Sequence, residues 1–306
     1  MSIAIALREV DKRYGPIQAA RGVSFELSAG ETVALVGHNG AGKTTLMKLM
    51  LGLIRASGGM VRVLGADPAA GGFEIRRRIG YLPENVSFNG ALTARETLAF
   101  YARLKHQPVR AALPLLERVG IAEAASRRIA TYSKGMRQRL GLAQALIGEP
   151  EILLLDEPTT GLDPLLRRRF YDLVGEMRRR GATVLLSSHA LSELDGRADR
   201  VLIMNRGLLI ANGSVETLRR IARLPTRIRL TLANGGGSPG NWLGPTMRWR
   251  HIDERIIEID VPPEAKLDIL RRAASGDVVP VADIDVAAPT LDDLYAHFIG
   301  LEEDAR

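Results

Sequence analysis

Gly37-His38-Asn39-Gly40-Ala41-Gly42-Lys43-Thr44-Thr45 decides the reading of this chain. The stretch fits G-x-x-x-x-G-K-[ST]. It follows the apolar run Thr32-Val33-Ala34-Leu35-Val36 and precedes a helix-compatible segment over 46–54. The pattern carries meaning only between a strand and a helix, and both flanks are here. Its glycines let the backbone curl so that successive N–H groups point at phosphate oxygens. The helix that follows turns the positive end of its dipole toward the same anion. Lys43 is placed to reach the β- and γ-phosphates, and Thr44 to ligate Mg²⁺.

Two carboxylates stand further along. Ile152-Leu153-Leu154-Leu155-Asp156-Glu157-Pro158 reads as a buried strand ending in acids, and in parallel sheets ligands bind at such C-terminal tips. Asp156 is placed to hold Mg²⁺ through water, and Glu157 to polarise an attacking water. Before that strand, Thr131-Tyr132-Ser133-Lys134-Gly135-Met136 opens another helix. Its free N–H groups and the Ser133 hydroxyl offer a second anion site. Two anion-binding helix starts and one acidic pair suggest a nucleotide gripped from two sides.

The short apolar runs 33–36, 152–155, 183–187 and 200–204 look like buried parallel strands. A helix-rich stretch covers about 85–148, with helical spacing over 94–104 and 112–119. Gly207 and Gly213 punctuate a hairpin before a basic helix over 215–224. From Pro225 the pattern changes: 227–232 alternates as a half-buried strand does, and 234–240 is a Gly-rich loop. Strand, helix and strand follow over 255–261, 264–274 and 278–286. A last helix begins near Thr290, where Asp293 resembles a capping box. Residues 1–225 thus read as an α/β nucleotide domain with a helical subdomain at about 85–148. Residues 226–306 read as a small α+β accessory or dimerisation domain.

Composition is that of an ordinary soluble globular protein. With no cysteine there is neither a disulfide nor a thiolate metal site. His38, His106, His189, His251 and His297 are scattered, without the i, i+4 pair of a transition-metal site. No apolar run approaches the roughly 20 residues that span a bilayer, and the N-terminus reads as a first strand, not a signal peptide. The net charge of +7 comes with arginine runs at 76–78, 167–169 and 178–180. These read as solvated helix faces. No RNA-binding aromatic motif or recognition helix accompanies them, so a nucleic-acid partner is not expected.

In this order the motifs resemble the ATP-binding subunits of ABC transporters, over about residues 3–220. The resemblance implies a P-loop NTPase core of the ABC type, with ATP and Mg²⁺ as ligands. It places Tyr14 on the adenine and assigns Ser133 and Gly135 to the family signature. Asp163, in Gly161-Leu162-Asp163-Pro164, falls in the D-loop, and His189 is the switch histidine on the γ-phosphate. Lys43, Glu157 and His189 would be catalytic; Thr44, Glu84 and Asp156 would face the metal. Two departures stand out: Lys134 and Met136 replace the usual Gly and Gln of the signature, and Glu84 stands where the family has glutamine. The family arrangement implies a head-to-tail homodimer around two ATP molecules and an integral membrane permease as partner. The chain would then sit peripherally on the cytoplasmic face of the plasma membrane. Within the family the chain looks like the multidrug/ABC-2 exporters. It is most similar there to the ATPase of the nitrous-oxide-reductase maturation system, which would add a periplasmic copper-handling accessory protein. The competing readings are a soluble ABC-type ATPase acting on nucleic acid and a regulatory nucleotide-binding module. The first lacks its expected coiled-coil insertion; Glu157 and His189 oppose the second.

Overall fold

Two long strands open the chain, β1 (Ile3–Tyr14) and β2 (Ile17–Ser28), followed by the short β3 (Thr32–Val36). Every residue of β3 is buried, as expected of a strand covered on both faces. Each such Val or Leu contributes roughly 1.5–3 kcal/mol on burial. Helix α1 (Lys43–Met50) leaves the phosphate loop and lays Leu46, Met47, Leu49 and Met50 on the core. Strand β4 (Gly58–Val63) then returns to pair antiparallel with β1, giving a three-stranded sheet of order β2-β1-β4. The structure, a computed structural model, describes residues 2–71, 73–188, 193–233, 247–275 and 280–304.

Helix α2 (Phe73–Arg77) leads into β5 (Ile79–Leu82). The helical stretch follows with α3 (Ala94–Leu104), α4 (Val109–Ala112), α5 (Leu115–Arg118) and α6 (Lys134–Ala145). A capping box starts α3: Thr93 Oγ accepts from the Glu96 N–H while the Glu96 carboxylate accepts from the Thr93 N–H. The helical spacing over 112–119 does not yield one helix. Pro114 interrupts it and starts α5 afresh, because proline has no N–H for the helical ladder and its ring clashes with the preceding turn.

Next come β6 (Ile152–Leu155), α7 (Pro164–Arg179), β7 (Thr183–Ser188), β8 (Arg200–Asn205) and β9 (Leu208–Gly213). They complete a six-stranded sheet of order β5-β6-β7-β3-β8-β9, in which β5, β6, β7, β3 and β8 run parallel. Arg206 and Gly207 form the β8–β9 turn, both at positive φ (45° and 84°), as a tight hairpin twisted with its strands requires. One apolar cluster joins the two sheets through Leu7, Phe25, Leu35, Leu46 and Leu154. Because β3, β6 and β7 are parallel neighbours, their C-terminal tips emerge at one end of the sheet, and the site forms there.

The chain divides into two compact units, Met1–Asn212 and Gly213–Arg306. Helix α8 (Val215–Ala222), which the sequence reading leaves with the first domain, groups with the second unit. There its Arg219 Nε donates to the Pro289 carbonyl at 2.7 Å. The second unit carries a four-stranded antiparallel sheet of order β11-β12-β10-β13. Its strands are β10 (Thr226–Leu232), β11 (Arg248–His251), β12 (Ile256–Val261) and β13 (Val281–Ala287). Helix α9 (Lys266–Ser275) packs Ile269 and Ala273 on one sheet face, against Ile228, Leu230, Ile257 and Ile259. Helix α10 (Leu291–Asp304) starts with the expected capping box, Asp293 accepting from the Thr290 N–H at 2.8 Å and Thr290 Oγ1 from the Asp293 N–H at 3.2 Å. The Gly-rich segment 234–240 lies outside the described residues.

Candidate active site

The phosphate loop closes on itself through Lys43. This lysine is only 6% exposed. Its ammonium donates to the Gly37 carbonyl at 2.6 Å and to the His38 carbonyl at 3.4 Å. Two glycines here are dictated by space. A Cβ on Gly37 would lie 2.6 Å from the Met204 carbonyl oxygen, and one on Gly42 would lie 2.4 Å from that of Ala19, at a φ of 107° that side chains resist. The His38 ring is fixed at both nitrogens, Nδ1 lying 2.6 Å from the Asn39 carbonyl oxygen and Nε2 2.7 Å from Asn205 Oδ1.

The acids come from the tip of β6, one strand beyond β7 from β3. Asp156 is 1% exposed and Glu157 6%. Thr44 Oγ1 donates to Asp156 Oδ2 at 2.7 Å, and Glu157 Oε1 stands 3.5 Å from Lys43 Nζ. Ser187, on β7, donates to Asp156 Oδ1 at 2.7 Å, and its oxygen accepts from the Glu157 N–H at 2.9 Å. Tyr81, on β5, is pushed up to about 12 by burial and by the negative charges of Asp156 and Glu84, so its hydroxyl stays protonated throughout the neutral range.

These groups border an open cleft of about 420 Å³. His38 to Thr45, Glu84, Asp156 and Glu157 line it, and Tyr14, Ile17 and Ala19 form the wall beyond the loop. Tyr14 is 43% exposed, an aromatic surface available for stacking, with Lys12 Nζ 5.0 Å from its ring centroid. The cleft thus has an apolar and aromatic end, a cationic loop and an acidic end. A nucleoside triphosphate with a divalent cation has the matching chemistry. The donor set near Asp156 is all oxygen, from Thr44, Asp156 and Glu84, and suits Mg²⁺, which is held by one or two carboxylates together with substrate phosphates. Among the described residues no group of three or more His, Cys, Asp or Glu could hold a metal by itself.

Other expected site residues lie elsewhere. Ser133 caps α6, accepting from the Met136 N–H at 3.2 Å. Gly135 faces the D-loop, where an added Cβ would be 3.7 Å from the Gly161 carbonyl oxygen. Asp163 caps α7 through the Leu166 N–H at 2.9 Å. Ser133, Gly135 and Asp163 do not line the Lys43 cleft. His189 lies outside the described residues. Sequence reading missed Ile17, Ala19, Ser187 and the His38–Asn205 link. For Ser187 the available signal was a polar doublet, Ser187-Ser188, closing an otherwise apolar run.

A phosphate-binding loop between a core strand and helix, with its Thr44 bonded to Asp156 and its Lys43 beside Glu157 at the tip of β6, marks a P-loop nucleoside triphosphatase. The family profile described as ABC transporter matches residues 20–160. The daunorubicin resistance ATP-binding protein DrrA3 of Streptomyces coeruleorubidus is 35% identical over 304 residues, 97% of this chain and 96% of the relative. The Nod factor export ATP-binding protein I of Burkholderia orbicola is 37% identical over 223 residues, 71% of this chain and 73% of that protein. Among solved structures, an ATP-binding subunit of an ABC transporter superposes with a TM-score of 0.67 at 31% identity, covering 71% of this chain and 92% of its own. The chain belongs to the ATP-binding subunits of ABC transporters, and it binds and hydrolyses ATP.

Proposed function

We propose that this chain is the ATP-hydrolysing subunit of an ABC exporter. Two copies close head to tail around two MgATP, and the closure drives a separate membrane-spanning permease. The observation that carries this reading is the separation of the two anion sites. Lys43, Thr44, Asp156 and Glu157 share one cleft, whereas Ser133, Gly135 and Asp163 stand outside it. A second copy supplies what each cleft lacks, and the nucleotide becomes the bridge between copies. Cutting the terminal phosphate removes that bridge, which turns a bond cleavage into motion.

In this reading Tyr14 stacks on the base, the loop N–H groups and Lys43 bind the phosphate oxygens, and Thr44, Asp156 and Glu84 face Mg²⁺. When bound, the ion neutralises charge on the phosphates. Glu157 takes the proton of the attacking water on its carboxylate. By the family resemblance, His189 is the switch histidine that contacts the γ-phosphate. Among the described residues no helix is long and apolar enough to cross a membrane. The resemblance to transporter ATP-binding subunits supplies the separate partner and seats this chain peripherally on the cytoplasmic side.

The cargo follows from the company the chain keeps. Relatives named for daunorubicin resistance, Nod factor export and fluoroquinolone export favour an organic molecule moved outward. The narrower resemblance, to the nitrous-oxide-reductase maturation ATPase, gives the same engine a copper-handling accessory protein; no residue of this chain distinguishes it.

The test is Glu157→Gln. Turnover is expected to fall at least about 10²-fold, while light scattering after gel filtration with MgATP shows a dimer that the nucleotide-free protein lacks. Wild-type turnover in this variant, or a monomer at saturating MgATP, overturns the reading.

A further inference from the structure

Ser187 is fully buried at the end of β7. The parallel pairing of β6 with β7 sets Leu155 beside Leu186, so the next residues come side by side, Asp156 just past the end of β6 and Ser187 still within β7 and paired with Leu35 of β3. The Ser187 hydroxyl is used twice. The proton goes to Asp156 Oδ1 at 2.7 Å, and the oxygen accepts the Glu157 N–H at 2.9 Å. One side chain therefore holds one acid by its carboxylate and the next by its backbone.

Both contacts bear on geometry that does not hold itself. Asp156 has two oxygens, and Thr44 takes Oδ2 at 2.7 Å. With Oδ1 bonded to Ser187 as well, both carboxylate oxygens are held and the Ser187 bond does not depend on Thr44. Glu157 sits at a φ of 48°, in the left-handed region, which costs about 1–2 kcal/mol for a residue with a Cβ. The bond from its N–H to Ser187 is one of the contacts that keep that turn, and the turn aims the Glu157 side chain into the cleft.

We propose that Ser187 is a positioning residue for hydrolysis: it orients Asp156 toward the divalent cation and pins the backbone that presents Glu157 to water. The proposal rests on the roles given above to Asp156 and Glu157. It does not touch the phosphate loop, whose contacts with Lys43 are made without Ser187.

Ser187→Ala separates these contributions. Supporting shells of this kind are worth about 10–100-fold in metal affinity or activity. Turnover at saturating MgATP is therefore expected to fall by about that factor. The Mg²⁺ concentration that half-saturates binding of a fluorescent ADP is expected to rise about tenfold. Binding of the same ADP in EDTA is expected to stay at the wild-type value. Ser187→Thr keeps the hydroxyl on a residue suited to a strand and is expected to restore most of both quantities. A folded Ala variant with wild-type Mg²⁺ dependence and turnover overturns the proposal. So does equal loss in the Ala and Thr variants together with weakened binding in EDTA, which marks a packing role only. If the Ala variant does not fold, Ser187→Cys, similar in size and a weak donor, takes the same measurements, and wild-type values there overturn the proposal. A wild-type protein that fails to hydrolyse ATP refutes the site assignment instead, which keeps the two failures apart.

Discussion

Glu157 in the first unit and Glu258 in the second are both buried glutamates, 6% and 2% exposed, and the fold treats them in opposite ways. Glu258, on β12, is gripped by guanidinium groups from two neighbouring strands. Arg229 donates at 2.7 Å, Arg250 donates through Nε at 3.0 Å and through Nη2, and Arg227 lies 3.5 Å away. Burial pushes its carboxyl up, but the bonds from Arg229 and Arg250 and the nearby charges outweigh that and hold it below the usual glutamate range. Glu157 borders an open cleft, with Lys43 at 3.5 Å, longer than a good hydrogen bond. An acid fastened by several short charged bonds keeps its proton state and place, and serves the fold. An acid on a cleft wall beside a lysine that phosphate can claim stands where a bound nucleotide and water reach it. Burial alone does not separate the two glutamates; what borders each of them does.

The most severe way to break this contrast is to remove the cation on the catalytic side. Lys43→Met is expected to lower ATP turnover about 10³-fold, the upper range for losing a preorganised electrostatic contact, and to weaken ATP binding in a filter or fluorescence assay. Thermal unfolding is expected to move little, because the lost contacts are to two loop carbonyls and a cleft-wall acid. If Lys43→Met hydrolyses ATP normally, the cleft is not the reaction site, and the contrast between the two glutamates loses its functional half.

Much of that cleft was legible in the sequence. The phosphate loop declared itself because its chemistry is local: glycines, lysine and threonine act within nine consecutive residues. Asp156 and Glu157 were legible because they terminate an apolar run. The contacts that hold the acids were not. Ser187 is far from Asp156 along the chain and meets it only through the β6–β7 register, which no local pattern encodes. The antiparallel sheet of β1, β2 and β4 was also largely hidden, since its pairing is broken by register shifts near Val10 and Asp11 that blur strict alternation. The single helix expected over 112–119 failed on Pro114, where helical spacing of apolar residues competes with a backbone that cannot continue the ladder.

Lys105 sharpens the comparison from the cationic side, at the scale of folding stability. It is largely buried, and its ammonium donates to the Ile79 and Ile147 carbonyls at 3.1 Å each. Burial lowers it to about 8 from an ordinary 10.5. Below pH 8 the folded and unfolded states both carry the proton, and folding bears the full desolvation cost. Between about 8 and 10.5 the unfolded state binds more protons, so stability rises with pH. Lys105→Met removes this contribution. Denaturant titrations from pH 7 to 10 are expected to show wild type gaining on the variant by on the order of 3 kcal/mol. Parallel curves would mean that the two carbonyls hold the ammonium charged, as the arginines hold Glu258.

Glu258→Gln tests the structural half directly and has the smallest expected effect. Losing one partner of a buried charge cluster costs roughly 3–5 kcal/mol when the others stay buried. Here Arg227, Arg229 and Arg250 are 44%, 51% and 66% exposed and can return to water, so about 2 kcal/mol is expected. Because the folded carboxyl lies below its ordinary value, its contribution is complete above the ordinary glutamate range and fades as pH falls through the lowered value. The gap between wild type and Glu258→Gln in calorimetry of the full chain should therefore be widest near neutrality and close in acid. Hydrogen exchange should localise the loss to β10, β11 and β12. ATP turnover is expected to stay within about twofold, since surface and packing changes away from a site act through stability. A large fall in turnover with β10–β12 protection intact would instead make the second unit part of the catalytic assembly, and the two glutamates would no longer divide chemistry from support.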